Sequence, residues 1–149
     1  MGKFEEIANE MVLYRMKTSW LKIEKFYNEI AQNNDVSLSM AFVLLAINNE
    51  KGSAVTSIAP RIGLEPNSLS RILITLIEKG FVYKRKSTSD KRKVYICLTD
   101  LGIDMQSLSL NKMNSLENGI KKRITKEQLD GFFAVNDAIY DSIENISKN

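Results

Sequence analysis

The residues best able to do chemistry are cations crowded into one short stretch. Lys84, Arg85, Lys86, Lys91, Arg92 and Lys93 fall within ten residues, opposed only by Asp90. The rest of the chain is close to neutral, and the net charge over 149 residues is +3. Charge concentrated this way makes one local anion-binding surface rather than a generally basic protein. Just upstream, Asn67, Ser68, Ser70, Arg71 and Thr75 alternate with Leu69, Ile72, Leu73, Leu76 and Ile77 at helical spacing. One helix face is thus apolar, and the other carries short polar groups, Arg71 and Ile74. Asn and Arg make bidentate pairs with adenine and guanine edges. The first turns of such a helix are where side chains meet bases in a major groove.

Other chemistries are poorly served. The chain has no histidine and one cysteine, Cys97, so His-based acid–base catalysis, His-activated nucleophiles and an intramolecular disulfide are all excluded. A zinc site would need to be built almost wholly of carboxylates, which zinc rarely accepts. There is no Gly-rich phosphate loop, no nucleophile with a base and no convincing carboxylate pair, so no enzyme, metal or cofactor is expected. Met1 to Glu10 carries Lys3, Glu5, Glu6 and Glu10 and does not read as a signal peptide. No apolar run is long enough to span a bilayer. A cytoplasmic protein without membrane contact is expected.

The elements that must position these residues follow from periodicity. Phe4 to about Ile30 reads as one long helix without Pro or Gly, with apolar stripes Phe4–Ile7–Met11–Tyr14 and Leu13–Met16–Trp20–Ile23–Tyr27–Ile30. So wide an apolar surface needs partners on more than one side. Gln32 to Asp35 is a polar break, and Ser37 or Ser39 caps the next helix. Ala54 to Ile62 forms a short segment. Glu65-Pro66 then opens a helix that Gly80 closes. Phe81 to Lys86 and Lys93 to Leu98 alternate as strands joined by a basic hairpin tip. Thr99 caps a helix to about Arg123. Thr125 to Gln128 is a capping box for a last helix, with Leu129, Phe132, Phe133, Ile139, Ile143 and Ile146 on its apolar face.

Helix, short helix, capped helix and basic hairpin in this order make a winged helix-turn-helix. At the hairpin tip, Arg92 is placed to enter a minor groove with Asp90 holding its guanidinium, while the lysines neutralise phosphates. A solvated helix face and a merely solubilising loop are the plainer readings of each part taken alone.

The stretch Ile62 to Gly102 resembles the MarR-type (multiple antibiotic resistance) regulators. Ser70-Arg71, Glu78-Lys79-Gly80, Asp90-Lys91-Arg92 and Leu98-Thr99-Asp100-Leu101-Gly102 carry the resemblance, and the helix order extends it over essentially the whole chain. It implies a homodimer on a pseudo-palindromic operator in double-stranded DNA, usually a repressor relieved by a small ligand. It also implies that Asn67, Ser68, Ser70 and Arg71 read the major groove and Arg92 the minor groove. Thr75, Lys84, Lys86, Asp90, Lys91 and Lys93 complete the expected DNA-facing set. Two features depart from the family pattern. Pro60 removes an amide donor and should shorten or kink its helix. The wing also relies more on lysine than many relatives do.

The expected fold is mainly α, a winged helix-turn-helix with a two-stranded β-wing. Residues 1–33 form an N-terminal dimerisation helix, 34–100 the DNA-binding lobe and 101–149 C-terminal dimerisation helices. Met11, Tyr14, Arg15, Met16, Trp20, Met40 and Met105 are candidates for a pocket taking a small acidic aromatic or lipid-like effector. Ordinary core packing is the plainer reading of each Met and aromatic among them. Cys97 lies out of phase with Ile96 and Leu98 and near no basic helix end, so it reads as structural. Two functional alternatives are a winged helix used for protein–protein contact and a sequence-nonspecific DNA-binding protein.

Overall fold

The computed structural model describes residues 2–31 and 35–148. Gln32, Asn33 and Asn34, and with them the boundary between 33 and 34 and all of the expected polar break except Asp35, lie outside the described residues. The chain divides into two compact units, Met1–Ser109 and Leu110–Asn149.

The first unit opens with α1 (Lys3–Ala8) and α2 (Val12–Ala31), where one unbroken helix was expected. The break has no Pro or Gly. Tight turns close it instead, with the amides of Glu10 and Met11 donating to Ile7 and Ala8 carbonyls at 3.1 Å each. The Arg15 side chain then reaches back, and its Nε donates to the Asn9 carbonyl at 2.9 Å. An orphaned carbonyl at the end of α1 is thereby satisfied.

Next come α3 (Leu38–Ala46), β1 (Ser53–Ala54), α4 (Val55–Ile62), α5 (Pro66–Glu78), β2 (Val82–Lys86), β3 (Val94–Leu98) and the start of α6 (Asp100–Lys121). Ser37 caps α3, its Oγ accepting from the Met40 amide at 3.3 Å. The α4 helix runs on through Pro60 and ends two residues later, where Gly63 takes the left-handed conformation at φ 66°. Because Pro60 lies in the last turn of a short helix, its missing amide donor affects a single ladder position.

Strands β2 and β3 form the expected antiparallel hairpin, with Val82 opposite Leu98 and Lys86 opposite Val94. A third strand joins them: β1 pairs with β3, giving the order β1-β3-β2. The fully buried centre of the core is made by Val43 and Leu44 from α3, Ile58 from α4, Leu76 from α5 and Ile96 from β3. Burying each contributes roughly 1.5–3 kcal/mol. The amide of Gln106, on α6, donates to the Leu44 and Ile47 carbonyls at 2.6 and 3.0 Å. It closes the end of α3 from inside the core.

Thr99 stands where three elements meet. Its Oγ1 donates to the Gly80 carbonyl at 2.6 Å and accepts from the Gly102 amide at 3.0 Å, and its own amide donates to the Phe81 carbonyl at 3.0 Å.

The second unit holds the remainder of α6 and α7 (Lys126–Ser147). The capping box is present: Thr125 Oγ1 accepts from the Gln128 amide, and Gln128 Oε1 accepts from the Thr125 amide at 2.9 Å. Phe132, Phe133, Tyr140, Ile143 and Ile146 of α7 are exposed, as are Phe4, Leu13, Met16 and Trp20 of the first unit. Among the described residues no helix is long and apolar enough to cross a membrane.

Candidate nucleic-acid interface

The α5 helix begins at Pro66, whose fixed φ suits the first helical position. Leu69, Leu73 and Leu76 are buried beneath it. Ile77, expected in the core with them, is 37% exposed. On the far side Asn67, Ser68, Ser70, Arg71 and Ile74 are exposed, and Thr75 is half-buried. Two hydroxyls bond back to the preceding turn: Ser70 Oγ to the Pro66 carbonyl at 3.0 Å and Thr75 Oγ1 to the Arg71 carbonyl at 3.3 Å. With their protons committed there, both oxygens present lone pairs outward, as acceptors.

The hairpin tip is tied by its own backbone and short side chains. Ser87 and Lys93 close it, with the Ser87 amide donating to the Lys93 carbonyl at 3.0 Å. Ser87 Oγ accepts from the amides of Ser89 and Asp90 at 3.3 and 3.2 Å. Asp90 Oδ1 accepts from the backbone amide of Arg92 at 3.0 Å. The expected Asp90 grip on the Arg92 guanidinium is therefore corrected. A short carboxylate reaches the amide two residues on more readily than the end of a long side chain, so Asp90 shapes the loop and leaves the guanidinium out of the bond.

Between α5 and this hairpin lies a concavity of about 400 Å³. Ser70 and Ile74 form its helical wall, and Lys84, Arg92 and Lys93 its cationic wall. Val55 and Thr56, from the start of α4, complete it. Four of the sequence-predicted residues thus share one surface. Asn67, Ser68 and Arg71 are presented on the exposed side of α5 outside that hollow, Lys86 on β2 and Lys91 at the tip. Thr56 was not among the expected residues, because the short helix before α5 was read for the effect of Pro60 and not for its first turn, where Thr56 lies.

Arg85, in the middle of the basic run, behaves differently from its neighbours. Strand alternation turns it away from Lys84 and Lys86. Its Nε donates to Cys97 Sγ at 3.4 Å and its Nη2 to the Lys51 carbonyl at 2.7 Å. The guanidinium also lies 5.3 Å from the Tyr95 ring centre. The hydrogen bond to Cys97, and then its charge attraction, hold the Arg85 pKa above its ordinary value against the opposing effect of desolvation. Cys97 itself is buried together with Ile96 and Leu98, not set on an open opposite face.

The candidate effector residues are scattered: Met11 in the break before α2, the others over α2, α3 and α6. The Tyr14 ring meets Phe4 edge-on at 6.0 Å, and Trp20 lies 6.2 Å from Phe42. Arg15 is engaged with Asn9 as described. Met40 and Met105 are half-buried, while Met11 and Met16 are exposed.

Known proteins bear on this geometry. The MarR family model matches residues 36–94. The regulator SarZ of Staphylococcus haemolyticus is 28% identical over 100 residues, 67% of either chain. The S. aureus MepR–DNA complex superimposes with a TM-score of 0.80 at 17% identity, covering 89% of this chain and 98% of MepR. CouR bound to a 23-mer DNA duplex gives 0.78 at 20% identity, covering 94% and 99%; CouR from Rhodococcus jostii RHA1 is also known with p-coumaroyl-CoA. The sequence matches reach the helix-turn-helix and the wing, and the structural ones show the same fold along most of the chain. The chain carries a MarR-family domain over residues 36–94 and has the winged helix-turn-helix fold of these regulators.

Proposed function

We propose that this DNA-binding regulator is a ligand-responsive repressor that works as a cytoplasmic homodimer on a pseudo-palindromic operator, by binding rather than turnover. The observation that carries this reading is the polar face of α5 beside a hollow walled by Lys84, Arg92 and Lys93. In this reading Asn67, Ser68, Ser70, Arg71 and Thr75 face the major groove. Arg92 enters the minor groove on a loop shaped by Asp90, and Lys84, Lys86, Lys91 and Lys93 meet phosphates. Residues 34–100 form the DNA-binding lobe. Residues 1–33 and 101–149 pair with a second copy, which would cover the exposed apolar side chains of α2 and α7. An acidic aromatic or lipid-like effector acts on this assembly; the p-coumaroyl-CoA complex of CouR supports that class of ligand.

The test is a salt-titrated binding assay on the DNA upstream of the protein's own gene, with a scrambled duplex as control. The native duplex should bind more tightly, with Arg71→Ala erasing most of the preference. Arg92→Ala should weaken binding as well. Equal binding to both duplexes would point to nonspecific attachment. No binding at low salt would overturn the reading.

A further inference from the structure

Ile74 is the odd member of the polar face of α5. Its side chain is 56% exposed although the helix already buries Leu69, Leu73 and Leu76. It stands one turn beyond Ser70 and Arg71 and two beyond Asn67 on the same stripe. Asn67 to Ile74 spans about 10 Å along the helix axis, close to three base steps of about 3.4 Å. A single exposed isoleucine is ordinary by itself. This one lines the hollow whose opposite wall carries Lys84, Arg92 and Lys93, with Val55 and Val94 as further apolar lining. An apolar contact framed by cations suits a partner that offers one apolar group among anions.

The major-groove edge of a duplex offers such a group, the C5 methyl of thymine. Isoleucine is also well suited to meet it. Branching at Cβ leaves one strongly preferred χ1 in a helix, so the side chain has little rotamer freedom left to lose on contact. We infer that Ile74 is a specificity-determining residue that reads a thymine methyl in the operator. The inference rests on the DNA-binding reading above and deepens it by assigning base chemistry to a residue outside the polar contact set. Cytosine carries only hydrogen at the same ring position, so Ile74 favours T·A over C·G without a hydrogen bond.

The test begins with duplexes enriched from a random library by the full-length protein. In the tightest one each thymine is replaced in turn by deoxyuridine, which removes only the methyl. Affinities are measured for the wild type, Ile74→Ala and Ile74→Val. At one thymine position per recognised site the wild type should bind about fourfold more weakly, the worth of one buried carbon. The same replacement should leave Ile74→Ala unchanged and cost Ile74→Val an intermediate factor. Ile74→Val guards against a folding defect in the alanine variant, and circular dichroism checks both. A deoxyuridine effect of equal size in wild type and Ile74→Ala would overturn the assignment, as would a wild type indifferent to every replacement. Both results leave DNA binding intact. Failure to enrich any duplex would instead bring down the DNA-binding reading, and this inference with it.

Discussion

The Nε of Arg85 donates to the Sγ of Cys97 across 3.4 Å, on a diagonal of the β2–β3 ladder in which their direct partners are Tyr95 and Tyr83. A second guanidinium nitrogen holds the Lys51 carbonyl in the turn before β1. Arg85 therefore fastens β2, β3 and the turn before β1 together and is withdrawn from the proposed anion-facing set, although it sits between two lysines assigned to that set.

Salt dependence separates the two roles. Removing a cation that neutralises one phosphate lowers the slope of log affinity against log salt by about one. Lys84→Ala should show that decrease. Arg85→Ala should weaken binding with the slope unchanged, because it loosens the wing without removing a phosphate partner. Equal slope changes for the two variants would place Arg85 on the DNA.

Cys97 should be slow to alkylate. It is 7% exposed, and the Gly52 turn lies so close that a Cβ there would stand 2.6 Å from its sulfur. Iodoacetamide should modify the native protein far more slowly than the urea-unfolded chain, and Arg85→Ala should shorten the gap. Rapid labelling of the native wild type would contradict the burial.

Gln106→Leu should cost about 2–3 kcal/mol in urea unfolding at fixed protein concentration. It leaves the Ile47 carbonyl without its donor and strips one of two bonds from the Leu44 carbonyl. Gln106→Glu should be worse at neutral pH, since a buried carboxylate faces those carbonyls with no proton to give. An unchanged unfolding midpoint for Gln106→Leu would remove this residue from the core's polar framework.

Gly102→Ala should destabilise by about 2–4 kcal/mol, against the roughly 1 kcal/mol gain usual for Gly to Ala within a helix. The added Cβ would run into the Phe81 carbonyl oxygen and come within 3.4 Å of Leu98 Cδ2. A rise in thermal midpoint would show that the α6–β2 approach is looser than described.

Much of this was legible because some signals are local. Pro66 and Gly80 bracket α5 by their own backbone preferences, and the Thr125–Gln128 pair needs no distant partner. Other features depend on contacts between segments. The interruption at Asn9 crosses an unbroken apolar stripe and is bridged by a side chain from α2. Strand β1, two residues long, exists only because β3 lies beside it. Period-two alternation places Cys97 opposite Ile96, but it cannot reveal the turn at Gly52 that covers the second face. The cationic hollow was legible as charge density, and the separation of Arg85 from its neighbours was not, since that required the strand register.

Thr99 joins the end of α5, the end of β3 and the first turn of α6 through one hydroxyl and one amide. A tilt of α6 pivoting there carries α5 and the wing along as a single jaw, because changing the angle between them would break these bonds. In the proposed function, control exerted through α6 would thereby act on the spacing and pitch of that jaw on the duplex, while the bite itself stays fixed.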